Sequence, residues 1–137
     1  MAGPEFAILL DRYLKDWRRR PFAWGSADCV CFAAGWTALV TGRNPVAGTE
    51  GGYGDALEAL RLMRRITGSV DLVAATGVVL GSPLEVPLMI RLGDIAALAT
   101  PAGPALGVCA GEAIAALGPA GLAFRPLTTV IAAWRIC

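Results

Sequence analysis

The sequence predicts an α+β domain in which N-terminal helices pack on a small antiparallel β-sheet. Helical patterns occupy about residues 1–80, and short apolar runs separated by Gly/Pro turns occupy about residues 93–137. Helices followed by strands, without alternation, are typical of the α+β class. The 137 residues suit a single domain spanning 1–137. We expect a sheet of four to six strands.

The first 42 residues predict two helices. Residues 4–18 place apolar side chains at helical spacing after Pro4, which suits a first turn. These side chains are Phe6, Leu9, Leu10, Tyr13, Leu14 and Trp17. Asp28 is predicted to cap a second helix that runs to about Thr41 and stops at Gly42. Its apolar composition predicts burial on most sides.

Two shorter helices are predicted after a Gly/Pro-rich loop over residues 43–54. Asp55 with Glu58 forms a capping-box-like start for the third helix. The pattern points its Leu57, Leu60 and Met63 inward. A fourth helix is predicted from a cap at Ser69 through about residue 75.

The C-terminal part predicts strands near residues 94–100, 105–110, 112–117, 121–124 and 130–136. Gly/Pro turns between such runs favour an antiparallel meander, although alanine is a weak strand former. The tryptophans Trp17, Trp24, Trp36 and Trp134 are predicted to anchor the core.

The composition predicts a folded chain whose apolar surface is partly buried against a partner. The sequence is 55% hydrophobic and 17% charged, which favours a core and a surface covered by a partner. Gly and Pro residues break the apolar stretch 95–111, so no membrane insertion is expected. The N-terminus lacks a signal-peptide pattern, which predicts cytosolic synthesis.

The net charge of +1 predicts no overall positive field that would attract nucleic acid. A basic cluster ends the first helix, and it either stabilises that helix end or docks a partner. Its members are Lys15, Arg18, Arg19 and Arg20.

The candidate chemical site is Cys29, directly after the predicted cap Asp28. Unpaired amide groups at a helix start stabilise a thiolate, so this is where a cysteine nucleophile is expected. A loop containing Trp24 and Gly25 precedes it and leaves room for an extended substrate.

Three short motifs in order resemble the NlpC-like, papain-fold cysteine hydrolases of cell walls and phage tails. They are Asp28-Cys29, Gly93-Asp94, and the run from Ala105 through Gly107 to Gly111. In that family the last run is His-x-Gly-x-x-x-Gly and supplies the catalytic histidine. The resemblance implies a papain-like fold with Cys29 near the strand of Gly107, and it places Ala105 at the histidine position.

The resemblance is closer to a small group of phage and prophage tail-associated proteins. These share Trp-Gly-x-x-Asp-Cys, Gly-Asp and a final Ala-Trp-Arg, here Ala133-Trp134-Arg135, over about residues 20–135. It implies a structural component of the tail tip or baseplate, assembled in the host cytoplasm with other tail proteins as hetero-oligomeric partners and located in the virion. The groove or partner-binding residues would be Trp24, Gly25, Asp28, Cys29, Asp94 and Gly107.

The sequence contains no histidine, which argues against catalysis. Acyl transfer to a thiol needs a base and a proton donor. Asp28 is a poor substitute, because a neighbouring negative charge raises a thiol pKa. We therefore expect no catalytic residues, with Cys29 as a vestigial nucleophile, and no cofactor.

Two other functions stay open from the sequence. The first is a cell-wall peptidase or amidase with Cys29 as nucleophile and a base from a partner subunit. The second is a metal or iron–sulfur site built from Cys29, Cys31, Cys109 and Cys137. Cys29 and Cys31 argue against it, since positions two apart on a helix project about 200° apart. We expect no metal.

Overall fold

The structure is a computed structural model that describes residues 3–49 and 52–137. In these ranges four helices precede five strands, which confirms the α+β class. The helices are α1 (Pro4–Arg18), α2 (Cys29–Thr41), α3 (Ala56–Thr67) and α4 (Leu72–Leu80). The strands are β1 (Ile95–Leu98), β2 (Ala105–Cys109), β3 (Ala113–Gly118), β4 (Gly121–Pro126) and β5 (Val130–Trp134).

The strands form one antiparallel sheet in the order β4-β3-β2-β1-β5. The predicted meander is confirmed for β1 to β4, whereas β5 returns to pair with the free edge of β1. One face of the sheet packs against α1 and α2 through residues such as Leu106 and Val108. The opposite face forms a second apolar cluster that includes Leu98, Cys109 and Ile114.

The core forms where α1 and α2 meet the first face of the sheet. Phe6, Leu10, Leu14 and Trp17 are buried as the spacing predicted, while Leu9 and Tyr13 are partly buried. Trp36 and Trp134 are also buried, so three of the four predicted tryptophan anchors are confirmed. Asp28 caps α2 and Gly42 ends it in a left-handed conformation, as expected.

The prediction that Leu57, Leu60 and Met63 of α3 point inward is wrong for Leu57, and Leu60 and Met63 line a groove without being buried. The bounds of α3 and its cap at Asp55 follow the sequence, yet no residue of this helix is buried. Leu57 is 56% exposed and lies outside the groove, whereas Leu60 is 43% exposed because it lines an open groove instead of packing against a partner. Amphipathic spacing gives the direction of an apolar face and does not say what covers it.

Three further predictions are corrected by the structure. The cap of α4 is Asp71, whose carboxylate accepts the amides of Val73 and Ala74, whereas Ser69 accepts the amide of Asp71. Trp24 is 41% exposed because it stands edge-on against Phe22 outside the core.

Burial of α2 on most sides is also wrong at its C-terminal end, where Leu39 is half exposed. Of the predicted loop over residues 43–54, residues 50 and 51 lie outside the described ranges.

Three basic side chains at the end of α1 contact either carboxylates one turn earlier or an aromatic ring on β4. Lys15 and Arg20 pair with Asp11 and Asp16 one turn earlier, and Arg18 lies over the ring of Phe124. These pairs are exposed and contribute little to stability. Among the described helices, none is long and apolar enough to cross a membrane.

Candidate functional site

An apolar groove of about 840 Å³ lies between α2, the α3–α4 pair and the turn that joins β1 to β2. We call it the groove. Most of its lining is aliphatic or small, and residues from each wall are Cys29, Ala33, Thr37, Tyr53, Ala59, Leu60, Met63, Ile66, Ala75, Val79, Ile95, Pro104 and Leu106. Trp24 stands at its exposed rim. The N-terminus of α2, with Cys29, thus opens onto a cavity.

Asp28 holds the entrance of α2 together through three hydrogen bonds. Its Oδ1 accepts the amide of Cys31 at 2.9 Å, which is the helix cap. Its Oδ2 accepts the amide of Gly25 at 2.9 Å and the hydroxyl of Tyr53 at 2.6 Å. The side chain is buried and both oxygens are engaged. Asp28 is therefore a structural acceptor that joins the loop before α2 and the hydroxyl of Tyr53 to the start of the helix.

Cys29 is the first residue of α2 and is partly buried at the groove. Burial raises the pKa of its thiol, and the negative charge of Asp28 raises it further. A hydrogen bond from the backbone of Leu106 on β2 acts in the opposite direction and lowers it. The net shift is upward, so the thiol stays protonated at neutral pH.

Tyr53 was not identified from the sequence, although it joins the loop before α3 to the start of α2. Its hydroxyl donates to Asp28 and lies 3.8 Å from the sulfur of Cys31. Burial raises the pKa of Cys31 to about 11, with the charge of Asp28 adding to the shift. No sequence pattern links positions 28 and 53, because the contact exists only after the loop closes over α2.

Asp94 lies away from the groove, at the start of the sheet. Its Oδ2 accepts the amide of Arg91 at 2.8 Å and the guanidinium of Arg135 at 3.1 Å. Arg135 also donates to the carbonyl of Met89, and the indole of Trp134 donates to the carbonyl of Gly81. The Gly-Asp and Ala-Trp-Arg motifs are therefore in contact in the structure. Their hydrogen bonds join the start of β1 to the segment that follows β5.

Gly107 is buried between β2 and β3 and does not line the groove. A Cβ at this position would lie 2.5 Å from the carbonyl oxygen of Ala115 and 2.8 Å from a methyl carbon of Ile114. The glycine therefore permits the close approach of two strands. Gly25, which is also buried, has a φ of 82° and forms the turn before Asp28.

Ala105 lies on the face of the sheet opposite Cys29. Its cross-strand partner is Leu98, which belongs to the second apolar cluster, whereas Leu106 pairs with Ala97 in the cluster that contacts α2. Because side chains alternate along a strand, position 106 faces the groove and position 105 does not. A histidine aligned at 105 would thus point away from the thiol.

This register predicts opposite outcomes for two histidine variants. Leu106→His is expected to lower the Cys29 pKa and raise its alkylation rate at pH 7 about tenfold, since the imidazole can take the thiol proton and the resulting imidazolium stabilises the thiolate. Ala105→His, on the other face, should leave that rate unchanged. The measurement is the pH dependence of iodoacetamide labelling at Cys29. Equal rates in the two variants would contradict the register.

The four cysteines are not brought together. Cys109 lies in the cluster on the far face of the sheet, whereas Cys29 and Cys31 pack at the helical face. Within residues 3–49 and 52–137, no group of three or more His, Cys, Asp or Glu side chains could hold a metal ion. The described residues therefore offer no support for the metal-site alternative.

Comparison with known protein families places the chain in one of them. The model of the family DUF6950, described as a domain of unknown function, matches residues 2–136. The chain belongs to the DUF6950 family. No curated protein matches this DUF6950 chain. The family description states no activity or partner, so the function of this DUF6950 chain must be argued from its site.

Proposed function

We propose that this chain is a non-catalytic structural component of a phage or prophage-derived tail, at the tip or baseplate. The observation that carries the non-catalytic part is the environment of Cys29. Its thiol pKa is raised, both oxygens of its neighbour Asp28 accept hydrogen bonds from other groups, and the sequence contains no histidine. A nucleophilic thiol at neutral pH needs a lowered pKa and a base beside it that takes its proton.

The tail assignment is supported by the motifs that resemble tail-associated proteins and by exposed apolar surface. The packing of α2 on an antiparallel sheet, with Cys29 at its start, is compatible with a degenerate papain-like fold. On β5 and the segment that hydrogen-bonds to it, four large apolar side chains are exposed. They are Val86, Leu88, Met89 and Ile131. Large apolar side chains exposed on adjoining segments are typical of protein interfaces, and we propose that neighbouring tail proteins bind here.

The test compares three chains in cells that produce the particle. Mass spectrometry of purified tails should find the wild type and Cys29→Ala in equal amounts. The double variant Leu88→Glu, Met89→Glu should remain folded by circular dichroism yet be lost from the particles, because charge is introduced into an apolar contact. Absence of the wild-type chain from the tails would overturn the proposal.

One observation favours the peptidase alternative. Cys29 lines an open groove, and the backbone of Leu106 lowers the pKa of its thiol in part, so a base brought by a partner subunit could act there. Purified tails that cleave murein, with cleavage lost in Cys29→Ala, would establish that alternative and exclude a purely structural role. Rapid labelling of Cys29 by iodoacetamide at pH 6 within the tails would be its second sign.

A further inference from the structure

Apolar side chains of α3 line the groove without being covered by another part of the protein. Leu60, Met63 and Ile66 of α3 line it, although α3 has no buried residue. An amphipathic helix gains most of its stability when its apolar face is packed. Something apolar in the groove would therefore stabilise α3 where it stands.

The polar groups of the lining restrict what that occupant can be. The hydroxyls of Thr37, Thr49, Thr67 and Thr76 each donate to a backbone carbonyl of their own segment. The hydroxyl of Tyr53 donates to Asp28. No hydroxyl in the described lining is left to donate to a ligand. The charged side chain in the described lining is Asp71, an exposed carboxylate that accepts the amides of Val73 and Ala74. The carbonyl oxygens of an extended peptide and the oxygens of a sugar would therefore lose their hydrogen bonds to water without finding a hydroxyl donor in the groove.

The depth of the groove favours an aliphatic chain over a docked helix as its occupant. Its floor contains Ile95 and Leu106, which are 1% and 6% exposed, while Ile66 at the rim is 55% exposed. A partner helix is about 10–12 Å across, so it would lie on the rim and leave the floor unreached. A volume of about 840 Å³ is instead in the range of pockets for small ligands.

We propose that the groove binds one long aliphatic chain, such as that of a fatty acid or a membrane lipid. Its hydrocarbon chain would run along the floor formed by Ile95 and Leu106 and past Cys29, and its polar head would lie at the exposed rim. The uncharged floor and the hydroxyls turned back onto the protein both suit a ligand without polar groups along its length. This binding does not depend on the tail assignment.

The test measures protection of Cys29 by hexadecanoic acid in the full chain. Labelling by iodoacetamide at pH 8.5 should slow at least about tenfold at Cys29, because the bound chain covers the sulfur. The exposed Cys137 is the internal control and should label at an unchanged rate. Butanoic acid, too short to fill the groove, should protect neither thiol.

Groove-filling variants locate the site. Ala59→Trp and Ala56→Trp, both in the lining on α3, should each weaken hexadecanoate binding at least about tenfold by calorimetry. Val78→Trp is the matched control, since Val78 is exposed on α4 and lies outside the lining. Its affinity should equal that of the wild type, and circular dichroism checks that all three fold.

Vesicles of phosphatidylglycerol and phosphatidylcholine distinguish whether the bound aliphatic chain comes from a membrane lipid or from a free fatty acid. Protection by vesicles as well as by free acid identifies a membrane lipid, and protection by free acid alone identifies a soluble acid; both support the proposal. Three results would overturn it. They are unprotected Cys29, equal weakening by Ala59→Trp and Val78→Trp, and an apolar helical peptide that protects Cys29 where hexadecanoate does not.

Discussion

Replacing Asp28 with alanine is expected to destabilise the folded chain by about 3 kcal/mol. The carboxylate caps α2 and also accepts from the amide of Gly25 and the hydroxyl of Tyr53. Loss of a helix cap alone costs about 1 kcal/mol. The two donors left without an acceptor account for the rest, because orphaned donors cost about 1–3 kcal/mol each when buried. Urea denaturation measures the change.

The matched control for this variant is Asp55→Ala. Asp55 caps α3 in the same way, accepting the amide of Glu58 at 2.8 Å, but it is exposed and, among the described residues, accepts from no second segment. Its loss should cost about 1 kcal/mol. Equal losses in the two variants would mean that Asp28 is a helix cap and nothing more, and the bond to Tyr53 would then contribute nothing to stability.

Gly93→Ala is expected to destabilise the chain by about 3 kcal/mol for two separable reasons. Gly93 has a φ of 86°, a left-handed conformation that costs alanine about 1 kcal/mol. A Cβ there would also overlap the ring of Phe6 and lie 3.4 Å from Trp36. Both rings are buried, so relieving the overlap shifts the core and costs about 2 kcal/mol more.

Gly42→Ala isolates the backbone part of this effect. Gly42 has a φ of 79° and nothing within 4 Å of an added Cβ, so its cost should be only the conformational one, about 1 kcal/mol. The difference between the two variants in urea denaturation measures the clash with Phe6. A difference near zero would show that the ring moves without cost.

The motifs behind the family resemblance have structural roles in this chain. Gly93 accepts the indole N–H of Trp36 at 2.8 Å, and the next residue, Asp94, holds Arg135. Asp28 holds the loop before α2 and the loop before α3. These packing roles do not depend on catalysis, which agrees with the proposed non-catalytic role.

The sequence by itself determined the elements. Caps at Asp28 and Asp55, the stop at Gly42 and the apolar spacing of α1 act between residues a few positions apart, so their effects follow from local chain geometry. The short runs after residue 93 determined the strands, because Gly/Pro turns divide the chain there. The candidate thiol at Cys29 was found for the same local reason.

The tertiary structure alone decided what each face meets. The exposure of α3, the pairing of Asp94 with Arg135 and the bond from Tyr53 to Asp28 join residues far apart in the chain, and no local pattern encodes them. Register decided that Leu106 faces the thiol while Ala105 does not, because a shift of one residue reverses every side chain of a strand.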